Sequence, residues 1–223
     1  QDLYRLRLGH AKAAVSELQQ AQDGSAVARL ALRSALGALR RLDAGHLREL
    51  RAVHARFERD WSAQKHALLA QQRLDIEGVI ASAGAVCIAG GHVAVLLNRL
   101  RLFGLGRALA TRPLVAWSAG AMPVAERVVL FHDPPPQGAG NAELFEAGLG
   151  LVPRAVFLPH AADRLALGDP GRVAMLARRL APAIGYTLDD GDELRWRRGR
   201  LTAAHGSRRL ARSGTTVPAG DVS

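Results

Sequence analysis

The sequence has a single cysteine, Cys87, among its 223 residues. One cysteine excludes an internal disulfide and is typical of a reducing compartment, so we expect a cytoplasmic protein. No run of eighteen apolar residues occurs, which predicts that no helix spans a membrane, and the first residues do not form a secretory signal. The chain also begins at Gln1 without a methionine, and we therefore expect it to be a fragment of a longer protein.

Lysine and aromatic residues are also scarce. Lys12 and Lys65 are the only lysines, and aromatic side chains make up 4 % of the residues. The net charge of +10 is therefore carried almost entirely by arginine. A basic chain can indicate a nucleic-acid partner. Because the arginines are spread along predicted helices and the C-terminal tail, without an aromatic platform or a DNA-binding motif, we do not expect nucleic-acid binding.

Helical periodicity dominates the first 82 residues. Apolar residues at helical spacing predict helices over about 3–21, 26–42 and 46–74, separated by breaks at residues 23–25 and 43–45 and followed by a restart at Asp75. The predicted core stripe of the third helix consists of Leu47, Leu50, Val53, Phe57 and Trp61. The histidines of this region are interpreted as surface or boundary residues because they lack metal-ligand spacing, and we expect no metal site; they are His10, His46, His54 and His66.

After Gly84 the pattern changes to short apolar runs that alternate with helices. Strands are predicted at 85–89, 114–117, 127–131, 155–158 and 184–188, a helix follows Gly91, another begins at Asp169, and a hairpin covers 193–203. This alternation is typical of an α/β fold with parallel strands. We divide the chain into a helical arm or incomplete N-terminal part of the domain (1–82), an α/β core (83–205) and a basic flexible tail (206–223). Within the core, Cys87 is interpreted as a small buried residue.

The segment 113–125, PLVAWSAGAMPVA, combines a strand with a turn of small residues and a helix start. A serine between a strand and a helix has its hydroxyl held out of the sheet, beside the positive end of the helix dipole. This is the arrangement of a nucleophile elbow, with Ser118 as the nucleophile. Ala116 replaces the first glycine of the G-x-S-x-G pattern, whereas Gly120 matches the second. The alternative is that Ser118 only caps a helix.

A catalytic serine needs a base and a group that orients the base. Of the later histidines, His132, His160 and His205, His160 is the best candidate because it directly follows an apolar strand. Asp133 follows another strand, so both residues are expected at the sheet edge that carries Ser118. The amides of Ala119 and Gly91 are candidates for an oxyanion hole. The alternatives are a loop histidine, a turn aspartate and an ordinary tight turn.

These motifs together resemble the dipeptidase E and cyanophycinase family of serine peptidases. The resemblance covers about 84–191 and depends on an ordered series of motifs: Ala89-Gly90-Gly91, Leu96-Leu97-Asn98-Arg99-Leu100, Trp117-Ser118-Ala119-Gly120-Ala121, His132-Asp133, Gly148-Leu149-Gly150-Leu151-Val152-Pro153 and Pro159-His160. It implies a class I glutamine amidotransferase-like fold, a Rossmann-like three-layer αβα sandwich with a mostly parallel sheet. It also implies that Ser118 is the nucleophile, His160 the general base, Asp133 the orienting acid and Gly91 an oxyanion-hole residue.

Two departures from the family pattern bear on function. After the first strand the family usually has Gly-Gly-Asn-Thr, but this chain has Gly90-Gly91-His92-Val93, which changes the substrate edge at Gly90 and His92. In addition, long arginine-rich helices stand where the family has its N-terminal strands. Specificity for aspartyl dipeptides is therefore not expected to carry over directly.

We predict an intracellular serine peptidase or amidase that acts on a small, dipeptide-like substrate without a metal or organic cofactor, and that has no membrane partner. Formation of a homo-oligomer is compatible with the sequence. The alternative is a non-catalytic interaction protein that retains the fold and binds a partner through its helical arm. Glutamine amidotransfer is disfavoured because the elbow carries serine in place of cysteine.

Overall fold

The computed structural model describes residues 2–21, 24–62, 65–131 and 142–220. The first 82 residues contain three described helices, which are α1 (Asp2–Gln20), α2 (Ala26–Asp60) and α3 (Ala67–Ser82). Ser25 caps α2, since its hydroxyl accepts a hydrogen bond from the Ala28 amide at 3.0 Å. The helix runs without interruption through residues 43–45, so the break predicted there is wrong, as is the restart at Asp75 inside α3.

The continuity of α2 at Asp43 follows from tertiary contacts. Arg179, on α7 (Pro170–Leu180), donates hydrogen bonds to both carboxylate oxygens of Asp43 at 2.6 and 2.8 Å, and the hydroxyl of Tyr4 donates a third at 2.9 Å. Arg179 also donates to the carbonyl of Ala142. All three side chains are buried, and burial raises the pKa of Tyr4 above its ordinary value. The buried ion pair of Asp43 and Arg179, together with the Tyr4 hydroxyl, thus joins α1, α2 and α7. The carboxylate of Asp43, which could otherwise bond to its own backbone and favour a turn, is engaged in these contacts.

His46 and the apolar stripe of α2 differ from their predictions. His46 is 6 % exposed and stacks on Tyr4 with 3.9 Å between the ring centroids, so its assignment to the surface or boundary is wrong. Burial lowers the pKa of its imidazole. Leu47 is buried, but Val53, Phe57 and Trp61 are 64 %, 49 % and 41 % exposed. The stripe belongs to the core only in its first part, because a 35-residue helix of about 50 Å extends beyond the elements packed against it.

A second polar contact connects α2 to the α/β region. His54 Nε2 lies 2.7 Å from Glu146 of β4 (Glu143–Ala147), and Arg101 of α4 (Val93–Leu102) lies 3.1 Å from the same carboxylate. Burial by itself would raise the pKa of Glu146, but the hydrogen bond with His54 and the charge of Arg101 outweigh it, so the pKa is lowered. The carboxylate is therefore held ionised at the junction of α2, α4 and β4.

The remaining strands agree with the predicted positions to within about two residues. They are β1 (Val86–Ile88), β2 (Leu114–Ala116), β3 (Arg127–Leu130), β5 (Ala155–Pro159), β6 (Ile184–Leu188), β7 (Glu193–Arg197) and β8 (Arg200–His205). Two short helices complete the region, α5 (Gly106–Leu109) and α6 (Ala161–Arg164). The sequence did not predict β4, nor β9 (Arg208–Leu210) and β10 (Thr216–Pro218), which lie in the segment expected to be a flexible tail.

The described strands form four small sheets of mixed direction. β1 pairs with β2 and β5 with β6, both in parallel, whereas β3–β4 and β7–β8 are antiparallel. β9 and β10 add antiparallel strands beyond β6, which gives a four-stranded sheet in the order β10-β9-β6-β5. The fold is therefore α/β, as predicted, but a single, mostly parallel sheet in a three-layer sandwich is not confirmed.

The sheet of β1 and β2 has one covered and one open face. Ile88 is buried against the core, but Cys87 and its register partner Val115 are exposed, as is Trp117. The prediction that Cys87 is a buried core residue is wrong, because only the face of this sheet that carries Ile88 packs against the core. Among the helices within the described ranges, none has the length and apolar character needed to cross a membrane.

Candidate active site

Ser118 directly follows the extended residue Trp117 at the end of β2. Its φ is +49°, in the left-handed region that residues other than glycine rarely adopt. Two successive 3₁₀ turns, Ser118–Gly120 and Met122–Val124, follow in place of the predicted elbow helix. Pro123 lacks an amide hydrogen and so cannot extend a helical hydrogen-bond pattern. The sharp turn and the strained serine of a nucleophile elbow are present, but without a helix dipole behind them.

Glycines permit this turn to lie directly against the end of β1. A Cβ atom on Gly120 would lie 2.4 Å from the carbonyl oxygens of both Ile88 and Ala89. A Cβ atom on Gly90 would lie 3.0 Å from Cβ of Ser118 and 3.1 Å from its Oγ. Both glycines therefore fix the position of Ser118 by permitting close approach, which is the physical requirement behind the small residues in the motif.

Replacement of Gly120 by alanine is expected to displace Ser118, because the new methyl group would overlap two backbone oxygens. We expect kcat/KM for a cleaved substrate to fall by about 100-fold or more and the free energy of unfolding to fall by about 1–3 kcal/mol. Gly168→Ala is the matched control, since a Cβ at Gly168 meets no atom within 4 Å. If Gly120→Ala and Gly168→Ala lower kcat/KM and the free energy of unfolding equally, the close approach of Gly120 to β1 is not what positions Ser118.

His160 follows β5, which pairs with β6 in parallel, and the His160 amide continues this ladder by donating to the carbonyl of Leu188 at 3.0 Å. His160 also has a positive φ, +55°. Its Nε2 lies 2.9 Å from Oγ of Ser118, within hydrogen-bond distance. The side chains expected to be nucleophile and base are therefore in direct contact, each on a strained backbone at the end of a strand, and a proton can pass from Oγ to Nε2.

The other ring nitrogen of His160 faces a carboxylate that the sequence analysis did not single out. Nδ1 lies 3.8 Å from Oδ1 of Asp190, which follows β6, and the side chain of Asp190 is fully exposed. Nδ1 and the carboxylate are thus at ion-pair distance but too far apart for a direct hydrogen bond. His132 and Asp133 lie outside the described residues. The signal for Asp190 was present in the sequence, since it too follows a predicted strand of the same sheet.

The residues expected to form the oxyanion hole and substrate edge lie around the same turn. Gly91 has φ +134°, a conformation that favours glycine, and a Cβ there would meet no atom within 4 Å. The Ala119 amide immediately follows the serine. His92 caps α4, because its Nδ1 accepts a hydrogen bond from the Val95 amide at 3.4 Å. His92, which the sequence predicts at the substrate edge, therefore has a local structural role as the cap of α4.

A metal centre is not assembled by the described part of the chain, in which no three His, Cys, Asp or Glu side chains are grouped as metal ligands. The contact between Ser118 and His160 is suited to nucleophilic chemistry, since it joins a hydroxyl to a base. His160 remains about one-third exposed, which leaves the pair accessible from solvent.

Comparison with protein families matches residues 44–203 to peptidase family S51, more than two thirds of the chain. Comparison with curated proteins gives no match. The matched segment contains Ser118, His160 and the glycines that surround them, and it also includes the second half of α2. The resemblance drawn from the sequence motifs is confirmed, and the chain belongs to peptidase family S51, a family of serine peptidases.

Proposed function

We propose that this serine peptidase hydrolyses small, dipeptide-like peptides or acyl amides, with Ser118 as nucleophile and His160 as general base. The observation that supports the proposal is the 2.9 Å contact between Oγ of Ser118 and Nε2 of His160. A serine hydroxyl is a weak nucleophile until an adjacent base removes its proton, and this geometry meets that requirement. The strained backbone of both residues is a further argument for function, because such strain persists mainly at functional sites.

In the proposed mechanism, Oγ of Ser118 attacks the carbonyl carbon of the substrate while Nε2 of His160 takes the hydroxyl proton. The resulting oxyanion is bound by the backbone amides of Gly91 and Ala119. His160 then donates the proton to the leaving amine, and the acyl group remains on Ser118. Water, activated by the same imidazole, attacks the acyl-enzyme and releases the acid product.

The imidazolium formed in these steps needs a carboxylate beside Nδ1. We assign this role to Asp133, which the family resemblance implies. Asp190 is the competing carboxylate, at 3.8 Å from Nδ1. A fully exposed carboxylate interacts weakly because water screens its charge, which favours Asp133 as the orienting acid.

The proposal extends to fold and location. We infer that the small described sheets are parts of a Rossmann-like sandwich and that the protein acts in the cytoplasm, an inference based on its single cysteine. A resemblance to dipeptidase E in particular is part of the proposal. We expect a preference for other substrate side chains than in that family, because His92 replaces the usual asparagine at the proposed substrate edge. The substrate is bound without a metal or organic cofactor.

The test is covalent labelling with a fluorophosphonate probe, which reacts with activated serines. We expect the wild-type chain to be labelled, Ser118→Ala to lose labelling completely, and His160→Ala to lose nearly all of it. Ser34→Ala is the matched control, since Ser34 is an exposed serine on α2. Labelling that persists in Ser118→Ala, or a folded wild type that neither reacts nor hydrolyses any of a dipeptide panel, would contradict the proposal.

A second candidate is a non-catalytic interaction protein that retains the family fold. The exposed apolar side chains of Val53, Phe57 and Trp61 on α2 favour it, because exposed large apolar groups in one stripe are typical of contact surfaces. This candidate predicts a folded wild type that is not labelled, and it is therefore separated from the peptidase by the same experiment.

A further inference from the structure

The hairpin of β7 and β8 concentrates arginine on its outer face. Arg195, Arg197, Arg198 and Arg200 are all exposed, and Glu193 is the only acidic residue among residues 193–205, all of which the structure describes. Arg195 is paired with Glu193. Arg197, Arg198 and Arg200 form no ion pair or side-chain hydrogen bond within the described residues. This hairpin lies outside the predicted helices and the C-terminal tail along which the arginines are expected to be spread.

The strand register places two of these cations directly opposite each other. Arg197 pairs with Arg200 across the hairpin. Like charges in opposite positions of an antiparallel pair destabilise it, because their Cβ atoms are only about 5 Å apart. The turn between the two strands therefore carries an electrostatic cost that no neighbouring carboxylate in the described structure offsets.

The turn also carries a conformational cost. Arg198 and Gly199 both have positive φ, +52° and +74°. Two-residue turns of this kind favour Asn-Gly or Asp-Gly, since asparagine and aspartate tolerate the left-handed region better than arginine does. Arg198 is thus unfavourable in two ways, because its backbone has a positive φ and because its charge lies between two further arginines. Such departures from local rules are expected where a residue serves a function.

The opposite face of the hairpin fixes these arginines in place. Leu194, Trp196, Leu201 and Ala204 pack against the core, and the Trp196 ring contacts those of Phe157 and Tyr186 edge-on, each at 5.4 Å between centroids. A ribbon anchored in this way holds the backbone positions of its arginines at defined spacing. Less conformational freedom of the backbone then remains to be lost when a ligand binds.

We propose that the outer face of this hairpin binds the phosphate backbone of a nucleic-acid duplex without reading its sequence. A guanidinium donates two parallel hydrogen bonds to a phosphate, and a phosphate between Arg197 and Arg200 removes their repulsion. The face has no Phe, Tyr or Trp on which unpaired bases could stack, and its one imidazole, His205, lies at the end away from Arg197 and Arg200, which disfavours single strands. It also has no large apolar side chain to enter a bilayer, which disfavours a membrane surface.

The experiment measures binding of a fluorescent DNA duplex of about 20 base pairs by anisotropy, in two unrelated sequences and across a series of KCl concentrations from about 50 mM upward. The test variant is Arg197→Gln, Arg198→Gln and Arg200→Gln combined. The control variant is Arg33→Gln, Arg48→Gln and Arg51→Gln combined, which removes three exposed arginines from α2 and so changes the net charge equally. Circular dichroism melting verifies that both variants are folded.

We expect the hairpin variant to bind at least tenfold more weakly than wild type. The slope of log K against log salt should become shallower by about 2–3, since each phosphate that the protein no longer neutralises reduces it by about 0.9. The control variant should bind less than about threefold more weakly, and both duplex sequences should give the same affinities. Equal weakening in the two variants would show that only net charge matters and would overturn the proposal. Wild type that binds anionic phosphatidylserine vesicles but not the duplex would overturn it as well.

Discussion

Asp133→Asn is expected to lower kcat by about four orders of magnitude, whereas Asp190→Asn lowers it by less than about tenfold. An amide beside Nδ1 favours the wrong tautomer of His160 and cannot stabilise the imidazolium, so loss of the true orienting acid affects the chemical step directly. The side chain of Asp190 is fully exposed and 3.8 Å from Nδ1, and its charge is therefore screened by water.

The measurement is kcat for the best dipeptide substrate found, with both variants and the wild type at the same pH. Fluorophosphonate labelling rates provide a second readout that does not depend on the substrate. Asp163→Asn, on α6 next to the candidate site, is the control for a change of charge close to His160. A large loss in Asp190→Asn together with a small loss in Asp133→Asn would assign the orienting role to Asp190.

Asp43→Ala is expected to lower the free energy of unfolding by about 3–5 kcal/mol, because it leaves the buried guanidinium of Arg179 without its partner. Both side chains are less than one-tenth exposed, so water cannot replace the missing carboxylate. The Tyr4 hydroxyl also loses its acceptor. The measurement is the midpoint and slope of urea unfolding, compared with wild type.

Asp60→Ala is the matched control on the same helix, since Asp60 is exposed and its contact with Arg56 is 3.5 Å long; a change below about 1 kcal/mol is expected. Combining Asp43→Ala with Arg179→Met should restore part of the stability, because it removes the unpaired buried charge. If the double variant is as unstable as the sum of the two single variants, the unpaired charge is not the cause.

The sequence was sufficient to predict that Ser118 and His160 lie together, because both residues follow strands. Short apolar runs locate β2 and β5 reliably, and the residue after each one is at the sheet edge whatever the arrangement of the other strands. Ser118 and His160 could therefore be paired without knowledge of the complete sheet. Asp190 satisfies the same rule after β6, so the position after a strand does not by itself distinguish Asp190 from Asp133.

Features that depend on distant partners could not be predicted. The sequence around Asp43 has the local signals of a turn, and the contacts that favour a helix there include an ion pair with Arg179, far along the chain. The same applies to β9, whose pairing with β6 orders a segment with the composition of a flexible tail. Cys87 is the opposite case, a residue predicted to be buried that is exposed. A strand in an apolar run is buried on both faces only where other elements cover both faces of its sheet, and the sequence of the strand does not show whether they do.

The contact between Tyr4 and Arg179 joins residues that are 175 positions apart. During synthesis at about 5–20 residues per second, α1 waits on the order of ten seconds or longer before α7 leaves the ribosome. In that interval the first two helices have neither the guanidinium that neutralises Asp43 nor the apolar face of α7. Helices α1 and α2 are therefore synthesised well before the helix that completes their packing, and they reach their native contacts only after α7 has been made.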